Sequence, residues 1–152
     1  FQHSYETQCK VFSAVVSLCA SVGGRVLSIH SRQAVRDVLS ILRAHPGFGT
    51  AVLHWFTGTA AVLKAASDMG CWFSIGPAAF NSASGKALAE KLPRERVVPE
   101  SDGPFAKVNG ATVMPRSSDQ TVELLAQAWD LPLDEVKLCL ELNSKRLLSF
   151  IK

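Results

Sequence analysis

Four short apolar runs alternate with helical segments along this chain, and that alternation leaves few folds open. Over residues 5–22, Val11, Phe12, Val15, Val16, Leu18 and Cys19 recur at helical spacing, and Gly23-Gly24 closes the segment with residues that tolerate left-handed backbone. The run 25–29 (Arg-Val-Leu-Ser-Ile) has the length of a strand. A second helix is expected over 32–44, ended by His45-Pro46-Gly47. The pattern repeats with a strand at 51–53, a helix at 59–69 capped by Gly70, a strand at 71–75, and a helix at 78–91 after the Gly76-Pro77 break. A last strand near 96–100 leads into Ser-Asp-Gly-Pro and a long loop through Pro115, of the length that functional loops have. Helices at 119–129 and from Pro132 to about residue 150 finish the chain.

Short apolar strands separated by helices pair in parallel through crossovers, so the fold class is α/β, a layer or a barrel and not a bundle or sandwich. At 152 residues and 47% apolar composition the chain can bury a sizeable core, and residues 1–152 read as a single segment. The formal charge of +3 is spread among acidic residues, without the basic stripe of a dedicated nucleic-acid footprint. Cys9, Cys19, Cys71 and Cys139 are far apart with no C-x-x-C pair, and are expected to be reduced. No apolar run reaches the roughly 20 residues needed to span a bilayer, and the start has no basic, cleavable leader. These features predict a soluble, cytoplasmic chain with no membrane partner. Because it opens at Phe1 inside a helical pattern, the sequence is expected to be an excerpt of a longer one.

In parallel α/β folds the reacting groups gather at the C-terminal ends of the strands. Three of the four expected strands end in a potential metal ligand: Ile29 precedes His30, Leu53 precedes His54, and Val98-Pro99 precedes Glu100-Ser101-Asp102. A lone histidine after a strand usually makes a structural hydrogen bond; a matched pair joined by an acidic third favours a metal. Imidazole nitrogen with carboxylate oxygen suits Zn²⁺, Mn²⁺ or Co²⁺ better than an all-oxygen Mg²⁺ site, although Mg²⁺ stays open, as does a count of one or two ions. Glu100 and Asp102, two apart in an extended segment, project to one face; alternatively Glu100 pairs with Arg94 or Arg96. Arg32, expected at a helix start, is a candidate phosphate ligand or a solvated arginine. Thr57-Gly58-Thr59 offers phosphate donors or a helix cap. Trp55 and Phe56 offer base stacking or packing, and Lys107 and Asn109 offer substrate contact or solvent exposure. His3 and His45 have no partner ligand nearby and receive no role. The Walker, G-x-S-x-G, zinc-ribbon and dinucleotide patterns do not occur.

The order Ile-His-Ser-Arg (29–32), Leu-His-Trp-Phe-Thr-Gly (53–58) and Val-Pro-Glu-Ser-Asp-Gly-Pro-Phe (98–105) resembles the C-terminal part of the TatD family of metal-dependent deoxyribonucleases. Leu-Pro-Arg-Glu-Arg (92–96), Glu-Leu-Asn-Ser-Lys-Arg-Leu-Leu (141–148) and Gln8-x-x-x-Phe12 extend the likeness over nearly the whole chain. The resemblance implies a partial (β/α)8 TIM-type barrel of the amidohydrolase-like kind, C-terminal half only, with this chain supplying the fifth to eighth strands. It implies His30, His54 and Asp102 as metal ligands, Asp102 and Glu100 as the catalytic pair, and Asp102 as the group that takes a proton from the attacking water. DNA is the implied substrate and exonucleolytic hydrolysis the implied activity, with an amide or lactone hydrolase, or a non-catalytic barrel subunit of a larger complex, as alternatives. The family's first-strand ligands and fourth-strand Glu have no counterpart here, so the missing N-terminal half or another chain is expected to complete the site, and this segment alone is expected to be inactive. Ser101, Gly103 and Pro99 depart from the usual pattern, a flavour similar to TatD-like nucleases beside anti-phage defence genes.

Overall fold

The computed structural model describes residues 2–115 and 118–151, the side chains of Gln2, His3 and Ser118 excepted. Helix α1 (Gln2–Ser21) leads into β1 (Arg25–His30), followed by α2 (Val35–Ala44), β2 (Gly49–His54), α3 (Ala60–Asp68), β3 (Trp72–Ile75), α4 (Ala83–Ala89) and β4 (Val97–Pro99). A small hairpin of β5 (Lys107–Val108) and β6 (Ala111–Thr112) and the helices α5 (Ser118–Trp129) and α6 (Leu133–Leu148) complete the chain. The four main strands are parallel in the order β1-β2-β3-β4. A parallel sheet whose order follows the sequence without reversal is the winding of a barrel, whereas doubly wound sheets switch direction midway.

Alternation along the strands sorts side chains between two faces. Ile29, Ala51, Leu53, Phe73, Ile75 and Val97 point to one side and pack with the helices, including Val16 of α1, Leu39 and Leu42 of α2 and Leu63 of α3. Val52, Trp72 and Val98 point to the other, with Val26 and Leu147 against them. His30, His54 and Ser74 share the parity of this second face.

Local chemistry explains where the elements stop. Gly24, at φ +85°, donates its N–H to Cys19 O at 2.8 Å and closes α1; its missing Cβ also lets β1 start against Gly49, whose Cα would lie 2.9 Å from such a carbon. Helix α2 begins at Val35 and not at Arg32, because Ser31–Ala34 forms a turn with Gln33 at φ +57°. The single helix expected over 78–91 is split: a 3-10 turn (Pro77–Asn81) precedes α4, and Ser82 in extended backbone accepts from Gly85 N at 3.1 Å. Serine is a strong N-cap for this reason, and the cap interrupts the helical run. Asn143, from the closing motif, donates to Arg94 O (2.7 Å) and Val97 O (2.8 Å), tying α6 to the start of β4.

The sheet ends in two free edges among the described residues, at β1 and β4. Val11, Val15 and Leu18 of α1, with Val22 just beyond its end, lie 46–63% exposed at one-face spacing. Unpaired edges beside exposed apolar surface template association. We therefore expect the isolated chain to self-associate at micromolar concentration in sedimentation velocity; a single monomeric boundary across the concentration range would contradict this.

Candidate metal centre

Strands β1 and β2 run in parallel with His30 directly opposite His54. The two rings meet edge to face, 4.4 Å between centroids. Both histidines end their strands at the same height because the strands start level, Arg25 against Gly49, and have equal length. Leu53 pairs with Phe73, so one step further Ser74 of β3 falls beside His54.

His54 is held at both nitrogens. Nδ1 is paired with the Glu100 carboxylate and lies 3.4 Å from Ser74 Oγ, while Nε2 lies 3.2 Å from Asp102 Oδ1. Ser74 donates its hydroxyl to Glu100 Oε2 at 2.5 Å and accepts the Trp55 N–H at 3.3 Å. Glu100 N donates to Ile75 O, which extends the β4 ladder far enough to aim the carboxylate inward. Asp102 sits at φ +48°, and its carbonyl accepts the N–H groups of Phe105 and Ala106, both at 2.9 Å. That turn directs the carboxylate back over His54.

Burial lifts the Glu100 carboxyl above the ordinary carboxylate range; the hydrogen bond from Ser74 and the charge of His54 pull it back without cancelling the rise. In the metal-free protein the folded state therefore binds this proton more tightly than the unfolded state, whose value is about 4.3. The stabilising contribution is complete below that pH and is lost as pH rises through the folded value. Glu100→Gln removes the titration. Its thermal midpoint relative to wild type should climb from about pH 4 upward and then level off once wild-type Glu100 has ionised; an offset that is flat with pH argues against the shift.

The donor set fits a divalent cation. Two ligand atoms each about 2.1 Å from one ion, at angles between about 90° and 110°, lie roughly 3.0–3.4 Å apart, and the 3.2 Å between His54 Nε2 and Asp102 Oδ1 falls in that window. Glu100 Oε1 is buried and, among the described residues, has no hydrogen-bond partner, leaving a polar atom still to be satisfied. The set is also incomplete: among the described residues no group of three or more His, Cys, Asp or Glu side chains could by itself hold an ion. His30, Arg32, His54, Trp55, Thr57 and Asp102 line one cleft of about 400 Å³. Arg32 is exposed, and among the described residues its guanidinium has no hydrogen-bond or ion-pair partner.

The other candidates separate cleanly. Arg94 donates to Trp129 O and Arg96 to Ser67 O, so neither is the partner of Glu100. Thr59 caps α3, accepting from Val62 N at 3.4 Å. Phe56 is buried and packs edge to face on Phe73, whereas Trp55 stays half-buried at the cleft. Lys107 and Asn109 belong to the hairpin and line neither cleft beside the site; Asn109-Gly110 forms its tight turn, both at positive φ. His45 bonds Ser13 at 2.9 Å, joining the end of α2 to α1, and the side chain of His3 lies outside the described residues. All four cysteines are free, and Cys71 is buried, its thiol pushed up to about 11. No described helix is long and apolar enough to cross a membrane. Ser74 is the site residue that sequence reasoning missed. Its signal was a polar side chain in the otherwise apolar run 71–75, at the same strand height as the two histidines.

Comparison with known proteins bears on the fold and the family. The chain is 34% identical over 130 residues to a metal-dependent hydrolase TatD of Mycobacterium tuberculosis, covering 81% of this chain and 48% of that protein. It is 32% identical over 113 residues to a 3'-5' ssDNA/RNA exonuclease TatD of Edwardsiella piscicida, covering 70% and 42%. It thus spans about half the length of the curated relatives it matches. Among solved structures, a TatD-family hydrolase of Entamoeba histolytica superposes with a TM-score of 0.85 at 15% identity, over 94% of this chain and 57% of that one. An amidohydrolase of Saccharomyces cerevisiae superposes with a TM-score of 0.84 at 14% identity, over 95% and 60%. Both likenesses bear on the fold alone, an α/β architecture with a parallel sheet like that of TatD barrels. The family model of TatD-related DNases matches residues 2–149, and the chain belongs to that family.

Proposed function

We propose that this chain supplies one wall of the divalent-metal site of a phosphodiester hydrolase that shortens single-stranded DNA from an end. The convergence of His54 Nε2 and Asp102 Oδ1 at 3.2 Å, in a cleft that also holds His30 and the exposed Arg32, carries the proposal. His30, His54 and Asp102 would hold the ion or ion pair. When bound, a divalent ion supplies Lewis acidity, favouring deprotonation of water and neutralising charge on the phosphoryl oxygens.

The chain's own residues do the rest. With its proton on Nδ1 and donated to Glu100, His54 turns the Nε2 lone pair into the cleft, and Ser74 holds Glu100 in place. Asp102 accepts the proton of the attacking water. Arg32 pairs with non-bridging phosphate oxygens from within the same cleft, and this position favours an anionic substrate over a neutral amide or lactone. The remaining ligands would come from the other half of an eight-stranded barrel, within one polypeptide or from a partner chain. The test is Mn²⁺-dependent hydrolysis of single-stranded DNA by the completed barrel, wild type against Asp102→Asn; cleavage that ignores both chelator and mutation removes the proposal.

A further inference from the structure

Trp55 stands where two clefts meet. It lines the 400 Å³ cleft with His54 and Asp102, and it also lines a second cleft of about 220 Å³ bounded by Ser74, Ile75, Ser82, Ser84 and Leu88. The next residue, Phe56, is buried against Phe73. Two adjacent aromatics have therefore been sorted, one into the core and one to the rim of the candidate centre. A left-handed backbone at Trp55, φ +42°, makes the sorting possible. A bulky residue rarely adopts that conformation unless its surroundings enforce it, here through the Trp55 N–H donated to Ser74 Oγ at 3.3 Å.

The geometry points to Trp55 as the stacking platform for the nucleobase next to the scissile phosphate, with the smaller cleft receiving the ring. This inference rests on the phosphodiester reading of the same site. Drug-sized ligands occupy pockets of roughly 300–1,000 Å³, so a 220 Å³ cleft suits a single ring system. Its lining mixes apolar side chains such as Ile75 and Leu88 with hydroxyls, of which those of Ser82 and Ser84 are able to meet a base edge. Indole stacking accepts any base because each presents a π-face. A platform of this kind therefore confers preference for a base at that position without sequence specificity.

The experiment compares a normal single-stranded oligonucleotide with one carrying abasic sites at its terminal positions, on the completed barrel, in wild type, Trp55→Ala and Trp55→Phe. Binding is read by quenching of indole emission in wild type and by anisotropy of a labelled oligonucleotide in all three; hydrolysis is followed with Mn²⁺. Within this chain Trp72 and Trp129 are each 3% exposed, so its surface-accessible emission comes from Trp55. Wild type should favour the base-containing strand by roughly 5- to 150-fold, the range that a stack of about 1–3 kcal/mol gives at about 1.4 kcal/mol per tenfold. Trp55→Ala should bring that ratio close to one, and Trp55→Phe should retain most of it. An unchanged ratio in Trp55→Ala overturns the platform, and so does a Phe variant as impaired as Ala. If wild type binds both strands as expected yet hydrolyses neither with Mn²⁺, the phosphodiester proposal fails while the platform stands.

Discussion

Asp102→Asn should lower Mn²⁺-dependent DNA cleavage by about 10²–10⁴-fold, the usual worth of a positioned proton acceptor, and should leave the fold intact. The fold should survive because Asn keeps the size of the side chain and tolerates the φ of +48° that this position requires. The turn is made by the backbone carbonyl of residue 102, which accepts from Phe105 and Ala106 whatever the side chain. The carboxylate is what disappears. Its Oδ1, 3.2 Å from His54 Nε2, is one of the two donor atoms that converge on a common point, and an amide neither accepts a proton from water nor brings negative charge to a cation. Turnover, circular dichroism and thermal midpoint measured on the same preparation separate these consequences. Cleavage within a few-fold of wild type would remove Asp102 from the chemistry; loss of activity together with the fold would make it a structural residue of the turn.

The second large effect concerns the metal. Structural and catalytic zinc sites draw on three or four protein ligands, and closed structural sites bind with apparent free energies of about 10–16 kcal/mol. Among the described residues His54 Nε2 and Asp102 Oδ1 converge at 3.2 Å, His30 lies alongside, and no cluster of three could hold an ion unaided. Calorimetry on residues 1–152 alone should therefore show no stoichiometric uptake of Zn²⁺ or Mn²⁺ at micromolar concentration. Uptake should appear when the other half of a barrel is supplied. Tight one-to-one binding by the isolated chain would mean that its own side chains rearrange into a complete sphere, and the half-site picture would then fail.

How much of this was legible beforehand depends on how local the determinants are. His30 and His54 could be aligned from the sequence because each directly follows a short apolar run, and parallel strands of equal length place their ends together. Glu100 followed from the same rule, whereas Asp102 did not: a left-handed turn at φ +48°, and not the extended segment expected, brings its carboxylate to His54. Nor did the partners of Glu100 follow from it. Arg94 and Arg96 are nearer in sequence, yet they turn to Trp129 and Ser67, and the carboxylate instead meets residues from β2 and β3. Arg32 lines the cleft with the histidines but is not on a helix, because it lies in a turn that runs through Gln33 and Ala34 before α2 begins at Val35. The stretch after Asp102, expected as a long loop, contains a hairpin whose Asn-Gly turn was the overlooked signal, while the Ser82 cap was hidden inside an apparently helical run.

By itself, the sequence determined the α/β class, the strand and helix order and the height at which the histidines and carboxylates would sit, since periods of two and 3.6 residues are properties of a few neighbouring amino acids. Only the tertiary structure decided that Ser74 bridges Glu100 and the Trp55 backbone, that Phe56 goes inward while Trp55 faces the cleft, and that His54 and Asp102 come within 3.2 Å of each other. Those relations are set by the pairing of strands about 20 residues apart and by single left-handed residues in turns. No local pattern of hydrophobicity encodes them.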